Sequence, residues 1–528
     1  MSPRGWRPAL LLALAGAAAA HPLPIPYAPN VYDVKAFGAE GDGTTDDTVA
    51  IGTAVDAILQ QEKDPKYPAE KCVEHNTGPM LLYFPPGDYV VSDTIQIYPT
   101  DNATCITWWR TLAVIVMGDA ATTTTIHLAD SSAGFADASS SKPVFLTHPG
   151  YQHNDGQWLS YMDLSISIGK GNEGAVALRH VANNIGGVEN LTLTAPFGGA
   201  AGLDFPLFLG GLTIFKDMRV AGFTIGLNIS QPQDVLVIEH LRVENATVGL
   251  QLFQKGCTVR GMTTVGAAQP IVSHSDTASL IVLDSSFEHT TPQAAPAISS
   301  HGGQLFVRNV TATNFPAGAI EDFTTNKSNS PSVKVPSPVV EHSHASALKF
   351  GKAAPAVATI LPAVDTPTVP LSDPSTWSVF QLIGHNKTIA EDLQAVIDSG
   401  AETVMLRGDP LCYTHNATGC YYEQSGTIVL RKNLRRLHGG WQALGPPGAY
   451  PAYESIRVDT CEHSEPVFIE HYTNLWRLVH NSTNAPVLKS EFGGRIGFPP
   501  PETNELVLSI EMGCTDTVHF PREPNTPF

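Results

Sequence analysis

The chain has 528 residues, a formal net charge of −19 and only 15% charged residues. This length exceeds that of one ordinary domain, and the low charged fraction is typical of a chain that encloses many side chains in a long core. The negative charge excludes nucleic acid as a partner, because phosphate contacts need clustered Lys and Arg. It also disfavours a polyanionic substrate such as pectate, unless cations bridge it, and it favours a neutral glycan.

Residues 1–20 are predicted to be a secretory signal peptide. Arg4 and Arg7 precede an apolar run, and Ala-rich residues lead to a cleavage site after Ala20. No later run approaches the ~18 apolar residues of a membrane span. The sequence therefore predicts a monomeric protein that is secreted to the extracellular space or the cell wall and does not associate with membranes.

Sequons and cysteines agree with export. Nine Asn-x-Ser/Thr sequons predict N-glycans. They are Asn102, Asn190, Asn228, Asn245, Asn309, Asn326, Asn386, Asn416 and Asn481. Seven Cys in an oxidising compartment predict up to three disulfides. Proximity favours Cys72–Cys105, Cys412–Cys420 and Cys461–Cys514, with Cys257 free and buried in a rung, although sequence alone leaves the connectivity open.

The first structural motif after the signal is a strand, a Gly/Asp-rich turn and a helix. Val31–Val34 is predicted as a strand, and the run FGAEGDGTTDDTVAI that follows contains glycines for tight turns. Asp46 is placed to cap a helix over Ala50–Leu59. The run LLYFPPGDYVVSDTIQI then predicts a strand, a turn and further strands. Turn and cap chemistry explains the acidic residues of this motif, with a catalytic role as the alternative.

These two runs closely resemble the opening of pectate-lyase-superfamily β-helix proteins. That group includes family-55-type glycoside hydrolases. The resemblance implies a parallel β-helix fold. For those hydrolases it implies two tandem β-helices that act on β-1,3-glucan, with much of the catalytic machinery in the second module. The motif is specific for the fold and not for the reaction.

One short pattern then returns seven times between Tyr161 and Asn314. The repeats are marked by Asp163, Asn190, Asp217, His240, Gly261, Asp284 and Asn309, at intervals of 27, 27, 23, 21, 23 and 25 residues. Apolar residues alternate with period 2 around each marked position, which favours stacked β coils over helical repeats. The sequence predicts an all-β fold, a right-handed parallel β-helix (a single-stranded solenoid), whose first module covers residues 21–315.

Residues 316–376 are rich in Pro and Ser and are predicted to be a connector. Beyond it the opening returns in degraded form, with a helix over Ile389–Gly400 and strands at Thr403–Leu406 and Gly426–Leu430. Residues 377–528 are therefore predicted to be a second, truncated β-helix module. No residue there matches the catalytic acid of the family-55-type hydrolases, and the stretch from Phe492 onward shows no rung pattern.

Glycoside hydrolysis usually needs two carboxylates. Four residues after the marked positions, Glu244 and Glu288 fall in one column, two rungs apart, which corresponds to about 9.5 Å at ~4.8 Å per rung. This is near the ~6.5–9.5 Å separation of inverting enzymes. One Glu would act as the acid with a raised pKa, while the other would activate water. The alternative is that both are solvated residues at a strand end, and the sequon Asn245 argues for an outer surface.

Five further residues are candidates for substrate binding, and most of them also have a structural explanation. His240, Asp284 and His289 would orient hydroxyl groups around the Glu pair, but His240 and Asp284 also suit turns. Trp108 and Trp109 are candidates for stacking on sugar rings, with core packing as the alternative.

A column of alternating charge supplies two candidate bases for a lyase, Lys216 and Arg260. The alternative is a structural ladder of ion pairs. No zinc-type Cys/His spacing is present. We therefore predict no metal and no cofactor for a hydrolase, and calcium only for a lyase.

The sequence thus predicts a secreted glycoside hydrolase that cleaves O-glycosyl bonds of a neutral polysaccharide such as β-1,3-glucan. Two alternatives remain open. One is a polysaccharide lyase that acts on pectin-like uronides by β-elimination. The other is a non-catalytic glycan-binding or cell-wall-associated β-helix protein.

Overall fold

The structure is a computed structural model. It describes residues 31–61, 80–97, 114–147, 157–180, 183–206, 213–230, 236–253, 256–274, 279–323 and 331–345, and beyond these 378–381, 389–407 and short segments up to 521. No helix in these segments is long and apolar enough to cross a membrane. Several predicted features lie outside the described residues: the signal peptide, Trp108, Trp109, Asn102, Asn326, Asn386, Asn416, Asn481, Cys72, Cys105, Cys412, Cys420, Cys461 and Cys514.

A coil of the first module has up to three strands that turn around a common interior, and in some coils the first two are continuous, as in Gln157–Ile168. In one coil these strands are Thr213–Lys216, Arg219–Ala221 and Ile225–Ile229. Each of the three pairs in parallel with the equivalent strand 23 residues further along the chain. Successive coils therefore stack as rungs, and the predicted parallel β-helix is confirmed.

The strands assemble into two large sheets. The first has seventeen strands: Val31–Asp33, Asp42–Asp46, Met80–Phe84, Gly87–Val91, Val114–Gly118, Thr124–Leu128, Gln157–Ile168, Asn183–Thr194, Thr213–Lys216, Arg219–Ala221, Leu236–Glu239, Arg242–Glu244, Gly256–Arg260, Thr263–Val265, Ser279–Glu288, Gln304–Thr313 and Val339–Ala345. The second has ten: Ile95–Gln96, Lys142–Leu146, Ala175–Arg179, Ala201–Phe205, Ile225–Ile229, Val248–Leu252, Gln269–Ser273, Ile298–His301, Ile320–Phe323 and Ser332–Val335.

The seven marked positions of the sequence repeat form one column of corners in the seventeen-stranded sheet. All of them have positive φ, from 49° at Asn190 to 64° at Gly261. The left-handed region is costly for most residues, but Asn, Asp and Gly tolerate it. The side chains also bond along the column, since Asn190 Nδ2 donates to Asp163 Oδ1 at 2.7 Å and Asn309 Nδ2 donates to Asp284 Oδ1 at 2.8 Å. The repeat in the sequence is therefore a repeat of backbone corners.

The Gly/Asp-rich opening builds a turn and a helix cap. Asp47 is buried, and its two carboxylate oxygens accept hydrogen bonds from the Glu40 and Gly41 amides. Asp46 Oδ1 accepts from the Thr48 amide at 3.0 Å, at the start of the helix Thr48–Gln61. The helix begins two residues earlier than predicted, and the expected turn and cap chemistry is confirmed.

Apolar side chains fill the interior from end to end. The helix Thr48–Gln61 closes the N-terminal end, where Ile51, Val55 and Ile58 join the same buried cluster as the strands. Further along, an aromatic series crosses the interior through Phe145, Tyr161, His180, Phe205 and Phe215. Cys257 lies in this core as a free thiol, as predicted, and burial raises its pKa to about 12.

The column of alternating charge lies on the outward face beside the corners. The pairing register places Lys216 between Glu189 and Glu239 on the two adjacent rungs, and Arg260 follows Glu239. Lys216 is only 2% exposed, so it is not accessible to a substrate, and the rungs on both sides of it carry a carboxylate. This arrangement matches the structural ladder rather than an accessible base.

Three strands lie in the range that the sequence assigned to the connector, so that boundary is wrong. Ile320–Phe323 is the last parallel strand of the ten-stranded sheet. Ser332–Val335 and Val339–Ala345 then pair antiparallel with the final rung. Asp322 is buried there, and its Oδ2 lies 3.2 Å from His342 Nε2. The antiparallel strands cover the sheet edges, and the first module therefore extends past Phe315.

The second module repeats the parallel pairing. The predicted helix is present as Ile389–Asp398. The strands of this module form two parallel ladders. The first contains Ser378–Gln381, Thr403–Arg407, Arg436–His438 and Phe468–Glu470. The second contains Thr427–Val429, Arg457–Asp459, Arg477–His480 and Ile510–Met512. Glu505–Leu506 and Phe520–Pro521 pair antiparallel. Ile510–Met512 pairs in parallel with Arg477–His480, so the stretch after Phe492 does contain a rung.

We expect the stability of the first module at acid pH to depend on His180. Burial lowers the pKa of His180 to about 3, from an ordinary value of 6.5. Between these values the unfolded chain binds a proton that the folded chain does not. The free energy of unfolding therefore falls as the pH falls, by about 1.4 kcal/mol per pH unit. His180→Phe keeps a ring in the aromatic series and removes the titrating group, so this part of the pH dependence should disappear.

Urea unfolding at about pH 7 and about pH 4.5 measures this difference. Thr147→Val is the matched control, because it removes the hydroxyl that lies 3.3 Å from His180 Nδ1 and leaves the imidazole in place. An identical loss of stability between the two pH values in His180→Phe and in the unmodified protein would contradict the expectation.

Candidate functional site

The pairing register places the predicted carboxylates in one column. Glu244 lies opposite Val265, and Val265 lies opposite Glu288 on the next rung. The two residues are therefore two rungs apart, as the sequence spacing predicted. Their catalytic role stays a prediction. The neighbouring side chains of each Glu indicate which catalytic role it could take.

Glu244 is held between two guanidinium groups. Arg219 Nη2 donates to Glu244 Oε2 at 2.6 Å, and Arg242 Nε donates to Glu244 Oε1. The hydrogen bond from Arg219, followed by that from Arg242, lowers the pKa of Glu244 below its usual range. Glu244 is therefore ionised at neutral pH, which fits the base of an inverting pair and excludes the acid. Glu288 is exposed, so it lacks the apolar enclosure that a general acid of this kind uses.

The residues predicted to surround this pair have other partners. His240 and Asp284 are corner residues with φ of 55° and 49°. His240 Nδ1 lies 2.9 Å from Asp217 Oδ1, and Asp284 accepts from Asn309. His289 Nδ1 lies 2.7 Å from Gln293 Nε2 in its own turn. The structure thus supports the turn interpretation of His240 and Asp284.

A second surface, absent from the sequence prediction, lies on the outward face of the ten-stranded sheet. Arg179, Asp204, Asn228 and Gln251 occupy equivalent positions on four successive rungs, and we call them the polar column. Each is half-buried and alternates with core residues of the same strand. The column displays two amides and an ion pair along the helix axis, and amides and carboxylates are groups that hydrogen-bond sugar hydroxyls.

The polar column is bonded along its length. Arg179 Nε donates to Asp204 Oδ2 at 2.8 Å, and Asn228 Nδ2 donates to Asp204 Oδ1 at 3.0 Å. Arg179 also donates from Nη2 to Ser141 Oγ at 3.2 Å. Asn228 Oδ1 is buried. The charges of Arg179 and Asp204 offset each other. Among the described residues, no donor forms a hydrogen bond to Asn228 Oδ1.

Two residues further along each strand, four aromatic rings form an aromatic column. Phe253, His274, His301 and Phe323 lie on successive rungs, with adjacent ring centroids 4.7, 6.0 and 4.7 Å apart and interplanar angles of 17°, 10° and 7°. The rings are stacked face to face, so their edges line the outward surface. Burial lowers the pKa values of His274 and His301 below the ordinary 6.5, so both imidazoles are neutral at pH 7.

The sequence does hold a signal for this surface. The tetrapeptides Leu250–Phe253, Ile271–His274 and Ile298–His301 all place an aromatic residue three positions after an aliphatic one. These tetrapeptides lie on the third strand of each coil, beyond the four residues after each corner that the repeat of corners includes.

Comparison with known proteins identifies the first module. Residues 31–272 match the family model "Rhamnogalacturonase A/epimerase, pectate lyase-like". Those residues form a pectate-lyase-like domain. This domain contains Glu244, the whole polar column and the first ring of the aromatic column.

Individual relatives match short parts of the chain. A probable glucan endo-1,3-beta-glucosidase of Arthroderma benhamiae is 38% identical over 105 residues, which is 20% of this chain and 10% of that protein. The non-secreted LysM effector LysM15 of Penicillium expansum is 43% identical over 77 residues, 14% of this chain and 5% of that protein. These matches therefore span a tenth or less of the relatives' own length.

Among solved structures, the catalytic unit of a GH87 alpha-1,3-glucanase from Streptomyces thermodiastaticus has a TM-score of 0.35 at 11% identity. That alignment covers 83% of this chain and 69% of that one.

We expect the sequons of the pectate-lyase-like domain to differ in glycan occupancy. The Asn245 side chain is exposed at a corner with φ of 52°. The amides of Asn190 and Asn228 are half-buried and donate to Asp163 and Asp204. A glycan on either amide would have to displace these contacts, so folded, secreted protein should carry a glycan on Asn245 and none on Asn190 or Asn228.

Glycopeptide mass spectrometry after enzymatic deglycosylation in ¹⁸O water measures the occupancy of each site. Asn309 is the internal comparison, because its side chain is exposed like that of Asn245 but its amide already donates a hydrogen bond to Asp284. Its occupancy shows the effect of that hydrogen bond alone. Full occupancy of Asn228 in folded protein would contradict the expectation.

Proposed function

We propose that this protein is a secreted glycoside hydrolase that acts on a neutral polysaccharide such as β-1,3-glucan. The observation that supports it best is the outward face of the ten-stranded sheet. There the polar column leads into the aromatic column, and the two share the rung of Gln251 and Phe253, so that together they extend over seven successive rungs of the β-helix. A surface of this kind suits a polymer, because repeated hydrogen-bonding and apolar positions face repeated sugar units.

Charge supports a neutral substrate over a uronide. The net charge of −19 repels a polyanion at long range. Within the polar column, the cation Arg179 is already paired with Asp204 at 2.8 Å. A uronate carboxylate would therefore meet an occupied guanidinium. The local identity to a probable glucan endo-1,3-beta-glucosidase points to the same class of substrate.

For the chemistry, the proposal retains Glu244 and Glu288. Glu244 takes the role of the base that activates water, because its two arginines hold it ionised. Glu288 takes the role of the acid, and because its side chain is exposed, the bound substrate would have to supply the apolar enclosure that raises the pKa of this carboxyl. At two rungs, their separation of about 9.5 Å leaves room for the water that an inverting enzyme places beneath the sugar.

The first test identifies the reaction by its products. The purified protein is incubated with laminarin-type β-1,3-glucan and with polygalacturonate, each with and without calcium. We expect new reducing ends from the glucan without ultraviolet absorbance, and no effect of calcium. An unsaturated, ultraviolet-absorbing product from polygalacturonate that requires calcium would instead establish a lyase.

The second test concerns the two carboxylates. In an active preparation, Glu244→Gln and Glu288→Gln should each lower turnover of β-1,3-glucan by about 10²–10⁴-fold, because each removes one proton-transfer group. Arg242→Gln is the matched control: it weakens the ion pair at Glu244 and leaves both carboxylates in place, so turnover should fall less. Full turnover in both Glu variants would refute the assignment and direct attention to carboxylates elsewhere in the chain.

A glycan-binding protein is the second candidate, and one observation favours it. The polar column ends at Gln251, and the equivalent positions on the next three rungs are Val272, Ser299 and Glu321. The next carboxylate after Asp204 is therefore Glu321. Asp204 and Glu321 are thus five rungs apart, or about 24 Å, which is too far for an acid and base pair. Binding of β-1,3-glucan without release of any reducing ends would establish this candidate.

A further inference from the structure

The aromatic column ends at Phe253, and its end differs from its interior. His274 and His301 each have a ring stacked on both sides. Among the residues that the structure describes, Phe253 stacks only on His274, and the equivalent position on the preceding rung is Ser230, which follows the paired residues Ile229 and Leu252. Ser230 is too small to cover a phenyl ring, and Phe253 is 37% exposed. One aromatic face therefore lies open above Ser230.

The opposite end of the column lies against the antiparallel strand, and Phe323 there is less exposed than Phe253. Phe323 lies on the last parallel strand and pairs with Ser332 of the antiparallel strand that covers this edge. The open face at Phe253 is thus oriented toward the preceding rungs, where the polar column lies. Gln251 and Asn228 are the outward neighbours of Phe253 and Ser230, two residues earlier on their strands.

We propose that the open face of Phe253 above Ser230 is a stacking subsite for one neutral pyranose ring of a glycan chain, with Asn228 and Gln251 as hydrogen-bonding partners of its hydroxyl groups. This inference rests on the proposed function and names one position of the substrate within it. A β-linked glucose unit suits the subsite, because its ring hydroxyls are equatorial and its two faces are formed by C–H groups that pack on an aromatic ring.

The polar neighbours support a sugar over a purely apolar ligand. Asn228 Oδ1 is buried without a hydrogen-bond partner among the described residues, and such an atom carries a free-energy cost until a donor reaches it. Asn228 Nδ2 is already committed to Asp204, which holds the side chain in place with its oxygen enclosed, so a sugar hydroxyl has to displace neighbouring side chains to reach that oxygen. A sugar hydroxyl supplies the missing donor, whereas a hydrocarbon does not.

Four variants test the subsite. Phe253→Ala removes the aromatic face, and Phe253→Trp keeps it. Ser230→Phe extends the aromatic column by one ring and fills the space above Phe253. Ser230→Ala is its matched control, since both variants destroy the sequon at Asn228 but only Ser230→Phe fills the space. A thermal unfolding curve for each variant establishes that it is folded.

The measurement is calorimetric binding of a β-1,3-linked glucose hexasaccharide to the full-length secreted protein, with a galacturonate hexasaccharide as the charged comparison. We expect Phe253→Ala and Ser230→Phe to bind the glucose hexasaccharide about tenfold more weakly. Phe253→Trp and Ser230→Ala should bind like the unmodified protein, and the galacturonate oligomer should bind weakly to all of them.

The outcomes separate this inference from the proposed function. Equal binding by the unmodified protein and by folded Ser230→Phe would overturn the subsite, even in a protein that hydrolyses glucan. Weakened binding in both variants of a protein that releases no reducing ends would support the subsite and overturn the hydrolase proposal. An unmodified protein that does not bind the hexasaccharide would overturn the subsite as well.

Discussion

The left-handed corner is the constraint on which the rest of the first module depends. A chain that turns after every short strand needs a residue with positive φ at the same place in each coil, and only a few residue types adopt it at low cost. The seven corners from Asp163 to Asn309 satisfy that need. Because the corners are in register, the strands on either side pair without slippage, and side chains at equivalent positions fall into columns. The columns of side chains described above inherit their alignment from these corners.

The fold was predictable from the sequence for that reason. Corners restrict residue identity to Asp, Asn, Gly and His, so the pattern remains visible although coil length varies between 21 and 27 residues. The column of Glu244 and Glu288, anchored four residues from a corner, was placed correctly. The end of the module was missed because Ser332–Val335 and Val339–Ala345 are antiparallel strands without a corner, and their Pro- and Ser-rich surroundings resemble a connector.

The polar and aromatic columns were not predictable from the same frame. They lie on the third strand of each coil, beyond a second corner occupied by Gly222, Asn245 and Gly266 in successive coils. Residues on the outward face of that strand carry no backbone requirement, so Arg, Asp, Asn and Gln replace one another without a repeated identity. Their proximity is a product of stacking at ~4.8 Å per rung and becomes apparent only when the rungs are assembled.

This contrast explains why acidic residues near the corners are weak evidence for catalysis. A corner recruits Asp and Asn for their conformation, and nearby side chains then engage the carboxylates: Asn309 donates a hydrogen bond to Asp284, and two arginines pair with Glu244 four residues after a corner. The two arginines stabilise Glu244 as an anion, which restricts this carboxylate to the role of a base or of structure. The outward positions of the third strand carry no such conformational requirement, although Asp204 there is paired with Arg179 in the same way. We therefore expect the recognition surface of this β-helix on the third strand of each coil. There the sequence repeat is least regular, but the side chains still stack in regular columns.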